Sequence, residues 1–172
     1  PIFNVCIAVA NIAGTGGGTL IARLMGEKHP EKARRVASFS IWFSAFMGLF
    51  FAVMTCIFMR PLLLALGASG ETFDFARQYC TCVIVIGATP TITAMTMGNL
   101  LRNVGCSRQA GFAISMGGII NIILDPLFMF VLLPPGHEIL GAGLATALSN
   151  TITFTYFIVT ILRLHNPILH FS

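Results

Sequence analysis

The chain has 172 residues, of which 56% are hydrophobic and only 9% are Asp, Glu, Lys or Arg. Soluble domains carry roughly 25% charged residues, so this composition excludes an ordinary soluble fold and makes lipid the solvent. The net charge of +4 is confined to short connections between apolar runs, which excludes a nucleic-acid partner.

Apolar runs recur at about 1–25, 37–66, 76–101, 109–133 and 139–163, each long enough for the roughly 20 residues that a membrane-crossing helix needs. They predict an all-α, polytopic bundle of five spans. Isolated strands would leave backbone groups unpaired in lipid, and the runs lack the alternation of barrel strands. The first run already contains Pro1, with no initiator Met or basic leader before it. The expectation is therefore a partial chain with helices on either side.

In the first run, GTGGGT at 14–19 resembles a phosphate loop but has no Walker lysine and no preceding strand. Gly14 and Gly18 instead form a GxxxG face for close helix packing, and small residues recur in SMGG at 115–118 and GAGLATALS at 141–149. The connection 26–36 carries Lys28, Lys32, Arg34 and Arg35. Arg102 and Arg108 lie in the connection 102–108, and Arg163 begins the tail. The alternate connections hold few basic residues, so the positive-inside rule places loops 26–36 and 102–108 and the C-terminal tail in the cytoplasm, with Pro1 outside. Anionic headgroups suit the basic loop around His29 and Glu31.

In the second run, Trp42, like Tyr79 later, is an expected interfacial anchor. Phe43, Phe46, Phe50 and Phe51 are expected to face lipid or neighbouring helices. Glu71 and Asp74 lie in an outer connection. The five cysteines, Cys6, Cys56, Cys80, Cys82 and Cys106, sit in spans or at a cytoplasmic end. They are expected to be small apolar packing residues, and Cys80 and Cys82 point to different sides of a helix. In the third run, Thr89 and Pro90 free the carbonyl of Ile86 and predict a bend.

The fourth run contains NIILDPLFMF, 121–130. Asn121 and Asp125 are four apart and share a helix face, while Pro126 cannot donate to the carbonyl of Ile122. Oxygens thus cluster on one side. In the fifth run Thr146, Ser149, Asn150 and Thr153 form a stripe at helical spacing, and Thr146 or Asn150 would complete a site around Asp125 if the two helices pack. An ionised Asp at mid-membrane costs roughly 2.5–3.5 kcal/mol. Two uses are open: uptake of a proton, or coordination of Na⁺ by Asp125, Asn121 and their neighbours. The structural alternative is that Asp125 and Asn121 only join helices.

Four phrases in order, GGGTLIARLMGEKHPEKARRV (16–36), NLLRNVGCSRQA (99–110), GGIINIILDPLFMF (117–130) and GAGLATALSN (141–150), resemble the multidrug and toxic compound extrusion (MATE) transporters. The resemblance implies a twelve-helix transporter of two six-helix lobes. It would exchange small cationic or amphipathic compounds for Na⁺ or H⁺ by alternating access, in the plasma membrane. Residues 1–172 would be the second to sixth helices of the N-terminal lobe, facing a second lobe of the same chain. The family's coupling positions match Asn121, Asp125 and Thr146, and Asn150, Thr153 and Ser149 would border a substrate cavity. Pro90 and Pro126 would be points of bending or fixed kinks. An acidic ligand of the family's first helix has no counterpart here, and the connection LPPGHEILG departs from the family's commonest version.

The resemblance implies no cofactor beyond the coupling ion, with drugs or toxic cations and the lipid bilayer as partners. An intramembrane enzyme is not expected, because no HExxH and no Ser/His couple at one depth occurs. A lipid-linked oligosaccharide flippase of the same superfamily would call for more cations within the spans. A non-transporting membrane scaffold would not require Asp125.

Overall fold

The computed structural model describes residues 2–134 and 136–163. The expectations for Pro1 and for the tail beyond Arg163 fall outside these residues. Among the described residues seven helices form: α1 (Ile2–Gly26), α2 (Pro30–Ile57), α3 (Met59–Ala65), α4 (Thr72–Ile86), α5 (Ala88–Asn103), α6 (Ser107–Leu132) and α7 (Glu138–Arg163). Among the described residues α1, α2, α6 and α7 are each long and apolar enough to cross a membrane. The bent pair α4–α5 makes a fifth span.

Local chemistry explains the boundaries. Pro30 occupies the first turn of α2, where its missing N–H is no loss, and Glu31 follows at the positive end of the helix dipole. Helix α2 therefore starts earlier than the apolar run did, and it ends at Ile57 rather than near residue 66. The segment after it, which carries Arg60 and Pro61 at its start, is the separate short helix α3, which buries Leu63. Between α4 and α5 the chain bends by 50° at Gly87, three residues before Pro90. In α6 the α-winding ends at Pro126 and continues as a π-helix over Leu127–Leu132. The two parts form one span, without a sharp break at the proline.

Three helices stop in the same way. A residue with left-handed φ follows each helix, and two successive N–H groups bond back to its last carbonyls: Gly67 (φ 91°) after α3, Gly105 (φ 85°) after α5 and Lys28 (φ 56°) after α1.

Helix α5 is the hub, packed against α1, α2, α6 and α7. One core joins Ile21, Ala37, Leu101, Ala110 and Phe157; a second, toward the other end, joins Cys6, Leu63, Cys80, Val83 and Ile92. Cys6, Cys80 and Cys82 are buried free thiols. The small residues act as close-packing points. Gly14 and Gly18 of α1 lie against Asn99 and Asn103 of α5, and Gly48 of α2 meets the backbone of Thr89. Outward faces are apolar: Trp42 is 67% exposed and Phe46 62%, as lipid-facing positions should be.

Candidate functional site

Asn121 and Asp125 sit on adjacent turns of α6, both half-buried. Asn121 Nδ2 donates to Asp125 Oδ1 at 3.2 Å. Helix α7 runs antiparallel beside α6, with Gly117 against the side chain of Thr153 and Gly141 against the backbone of Phe128. That register brings Asp125 level with Ala145 and Asn121 level with Ser149. Thr146 is therefore within one residue of the height of the carboxylate. The hydroxyl of Thr146 donates to Ala142 O at 2.9 Å, that of Ser149 to Thr146 O at 3.0 Å and that of Thr153 to Ser149 O at 2.9 Å. Each hydroxyl proton is thus committed to its own helix, which leaves oxygen lone pairs for an external cation. With the Asp125 carboxylate and Asn121 Oδ1, that level offers hard oxygen donors.

A cavity of about 430 Å³ lies where α1, α5, α6 and α7 converge, within the range of about 300–1,000 Å³ typical of small-molecule sites. Asn150 and Thr153 line it, whereas Ser149, Thr146, Asn121 and Asp125 do not. Asn150 Nδ2 donates to Thr91 Oγ1 at 2.8 Å. Toward the end of α5 a second polar chain borders the cavity: Arg102 Nη1 donates to Asn99 Oδ1 at 2.9 Å and Asn99 Nδ2 to Asn11 Oδ1 at 3.2 Å. Phe3, Ile7, Met95, Ile114 and Phe157 supply apolar wall.

Asn11, Thr91, Asn99 and Arg102 were not among the residues picked from sequence. For Asn11 and Asn99 the signal was the same as for Asn121 and Asn150, amides within apolar runs, and Asn99 and Arg102 are spaced to share a helix face. Arg102, taken from sequence as part of a connection, belongs to the last turn of α5.

The MatE family profile matches residues 1–127. The chain is 39% identical over 163 residues to the multidrug export protein MepA of Staphylococcus haemolyticus (strain JCSC1435), covering 92% of this chain and 34% of that protein. MepA of Staphylococcus saprophyticus is 33% identical over 165 residues, covering 95% and 35%. Among solved structures, the inward-facing conformation of a multidrug resistance MATE family transporter of the MOP superfamily superposes with a TM-score of 0.91 at 28% identity, over 100% of this chain and 38% of that one. The outward-facing conformation of such a transporter superposes with 0.86 at 28% identity, over 96% and 36%. The chain thus spans about a third of the length of the relatives it matches. Sequence profile, relatives and fold agree: the chain is a multi-pass membrane protein and belongs to the MatE family, the MATE transporters.

Proposed function

We propose that this chain forms part of a transporter that exports small cationic or amphipathic compounds in exchange for Na⁺ or H⁺. Its N-terminal lobe would work by alternating access against a second lobe, in the plasma membrane. The observation that carries the proposal is the Asn121–Asp125 hydrogen bond on a membrane-spanning helix, at the level of Thr146. A carboxylate at that depth is costly unless it takes up a proton or a cation. Asp125, Asn121 and Thr146 hold the coupling ion; the cavity bordered by Asn150 and Thr153 receives the compound. Ion loading neutralises Asp125, and the ion shifts the lobe's packing by its differential affinity for the two states. Loops 26–36 and 102–108 and the tail face the cytoplasm, in keeping with the exposed Lys28, Lys32, Arg35 and Arg108.

The test is efflux by the full-length protein in cells or proteoliposomes with an imposed ion gradient. Asp125→Asn should abolish gradient-driven export while leaving the protein in the membrane. Undiminished, ion-coupled export by the variant would end the proposal.

A further inference from the structure

Helices α6 and α7 frame a second feature, away from the cavity. Two adjoining open hollows of about 390 and 330 Å³ lie between the start of α6 and the end of α7, and they share Gln109 and Tyr156. Arg108 and Phe112 border the first, Thr160 and Arg163 the second. The cavity uses Ile114 and Gly117 of α6 and Asn150 and Thr153 of α7, so this groove takes the other sides of the same two helices.

The register set by Gly117 against Thr153 and Gly141 against Phe128 places Arg108 level with Leu162, one residue from Arg163. Both arginines are exposed. Gln109 and Thr160, half-buried, come next along the helices, followed by Phe112 and Tyr156, whose rings pack with centroids 5.7 Å apart. Charge, then amide and hydroxyl, then aromatic surface thus succeed one another over about 9 Å of helix. A bilayer interface changes in the same order, from headgroup to acyl chain. Arg108 also stands in the first turn of α6, near the positive end of the helix dipole, where a cation is disfavoured unless an anion lies close.

From this order we infer that the α6–α7 groove is a docking site for an anionic phospholipid of the cytoplasmic leaflet, with its phosphate at Arg108 and Arg163 and an acyl chain along Phe112 and Tyr156. Basic pockets between transmembrane helices on the cytoplasmic side take such headgroups, and a guanidinium fork matches two phosphate oxygens. The choice of leaflet rests on the orientation proposed above; the coupling ion and the exported compound do not enter.

Native mass spectrometry of the purified full-length protein counts bound lipid as phosphatidylglycerol or phosphatidylcholine is titrated in. The wild type should prefer phosphatidylglycerol, and high salt should shrink the preference. Arg108→Gln and Arg163→Gln should each weaken phosphatidylglycerol binding roughly fivefold, the scale of one basic side chain at an anionic membrane surface, with phosphatidylcholine little changed. Arg108→Lys should keep most of the binding. Lys32→Gln removes the same charge from the exposed 26–36 connection and should leave it unchanged. Equal affinity for the two lipids, or undiminished binding in both arginine variants, as a groove covered by the second lobe would give, would overturn the inference. So would an equal loss in Lys32→Gln, the mark of diffuse attraction, or displacement of the lipid by millimolar inorganic phosphate, the mark of a site for the free anion. Labelling of Ser107→Cys by a membrane-impermeant maleimide in intact cells, with the modified peptide identified, reads the orientation separately. Labelling from outside would overturn that orientation and move the lipid to the outer leaflet, while the arginine-dependent binding stood.

Discussion

Asn150 Nδ2 stands 2.8 Å from Thr91 Oγ1, and this bond ties α7 to α5 beside the cavity. Thr91 is only 4% exposed, although it and Asn150 border the cavity. Interhelical hydrogen bonds in membranes average about 0.6 kcal/mol and reach about 1.7. Thr91→Val and Asn150→Leu should each destabilise the protein, and the double variant should lose less than the sum by an amount in that range. Unfolding in mixed detergent micelles measures the coupling, and strict additivity would show the bond to be energetically silent.

Gly48 is the tightest backbone approach onto the hub helix. A Cβ added there would stand 2.6 Å from Thr89 Cα, and backbone cannot rotate away as a side chain could. Gly48→Val should lower stability by about 1–3 kcal/mol through overpacking. Gly16, with nothing within 4 Å of an added Cβ, is the control: Gly16→Ala should be neutral or slightly stabilising. Comparing thermal midpoints in detergent separates the two.

Lys28 holds the left-handed position (φ 56°) that glycine takes after α3 and α5. Its N–H bonds Met25 O at 3.1 Å, and the next N–H, of His29, bonds Leu24 O at 2.9 Å. A side chain with a Cβ costs about 1–2 kcal/mol in that conformation. Lys28→Gly should therefore raise stability by about 1 kcal/mol net of the extra chain entropy, and Gly105→Ala should lower it by a similar amount. An unchanged melting temperature for Lys28→Gly would mean that the surroundings already relieve the strain.

Asn121 donates to the carboxylate at the proposed ion level. Partners that orient a ligand group typically change ion affinity by about 10–100-fold. Asn121→Leu should raise the Na⁺ or H⁺ concentration giving half-maximal efflux at least roughly tenfold, with the rate at saturating ion retained. A dose–response in the coupling ion at fixed drug decides it, and an unshifted midpoint would remove Asn121 from the site.

The sequence by itself determined the class and much of the site's raw material. A hydrocarbon layer demands helices of a minimum length with satisfied backbones, so five long apolar runs define the spans without any tertiary information. Helical periodicity likewise places Asn121 with Asp125, because that relation lies within one helix. The end of α2 was not read from the sequence, because the apolar run continues to Leu66 around Arg60 and Pro61, and packing decides whether those two residues sit within a helix or start a new one. Nor was the cavity. Asn11 and Asn99 are 88 residues apart, and they meet because Gly14 and Gly18 let α1 settle against Asn99 and Asn103. Periodicity says which side chains share a face; which faces meet, and at what height, is decided by close approach of small residues across the bundle. That packing alone put the guanidinium of Arg102 on the cavity wall and left Asp125 outside its lining.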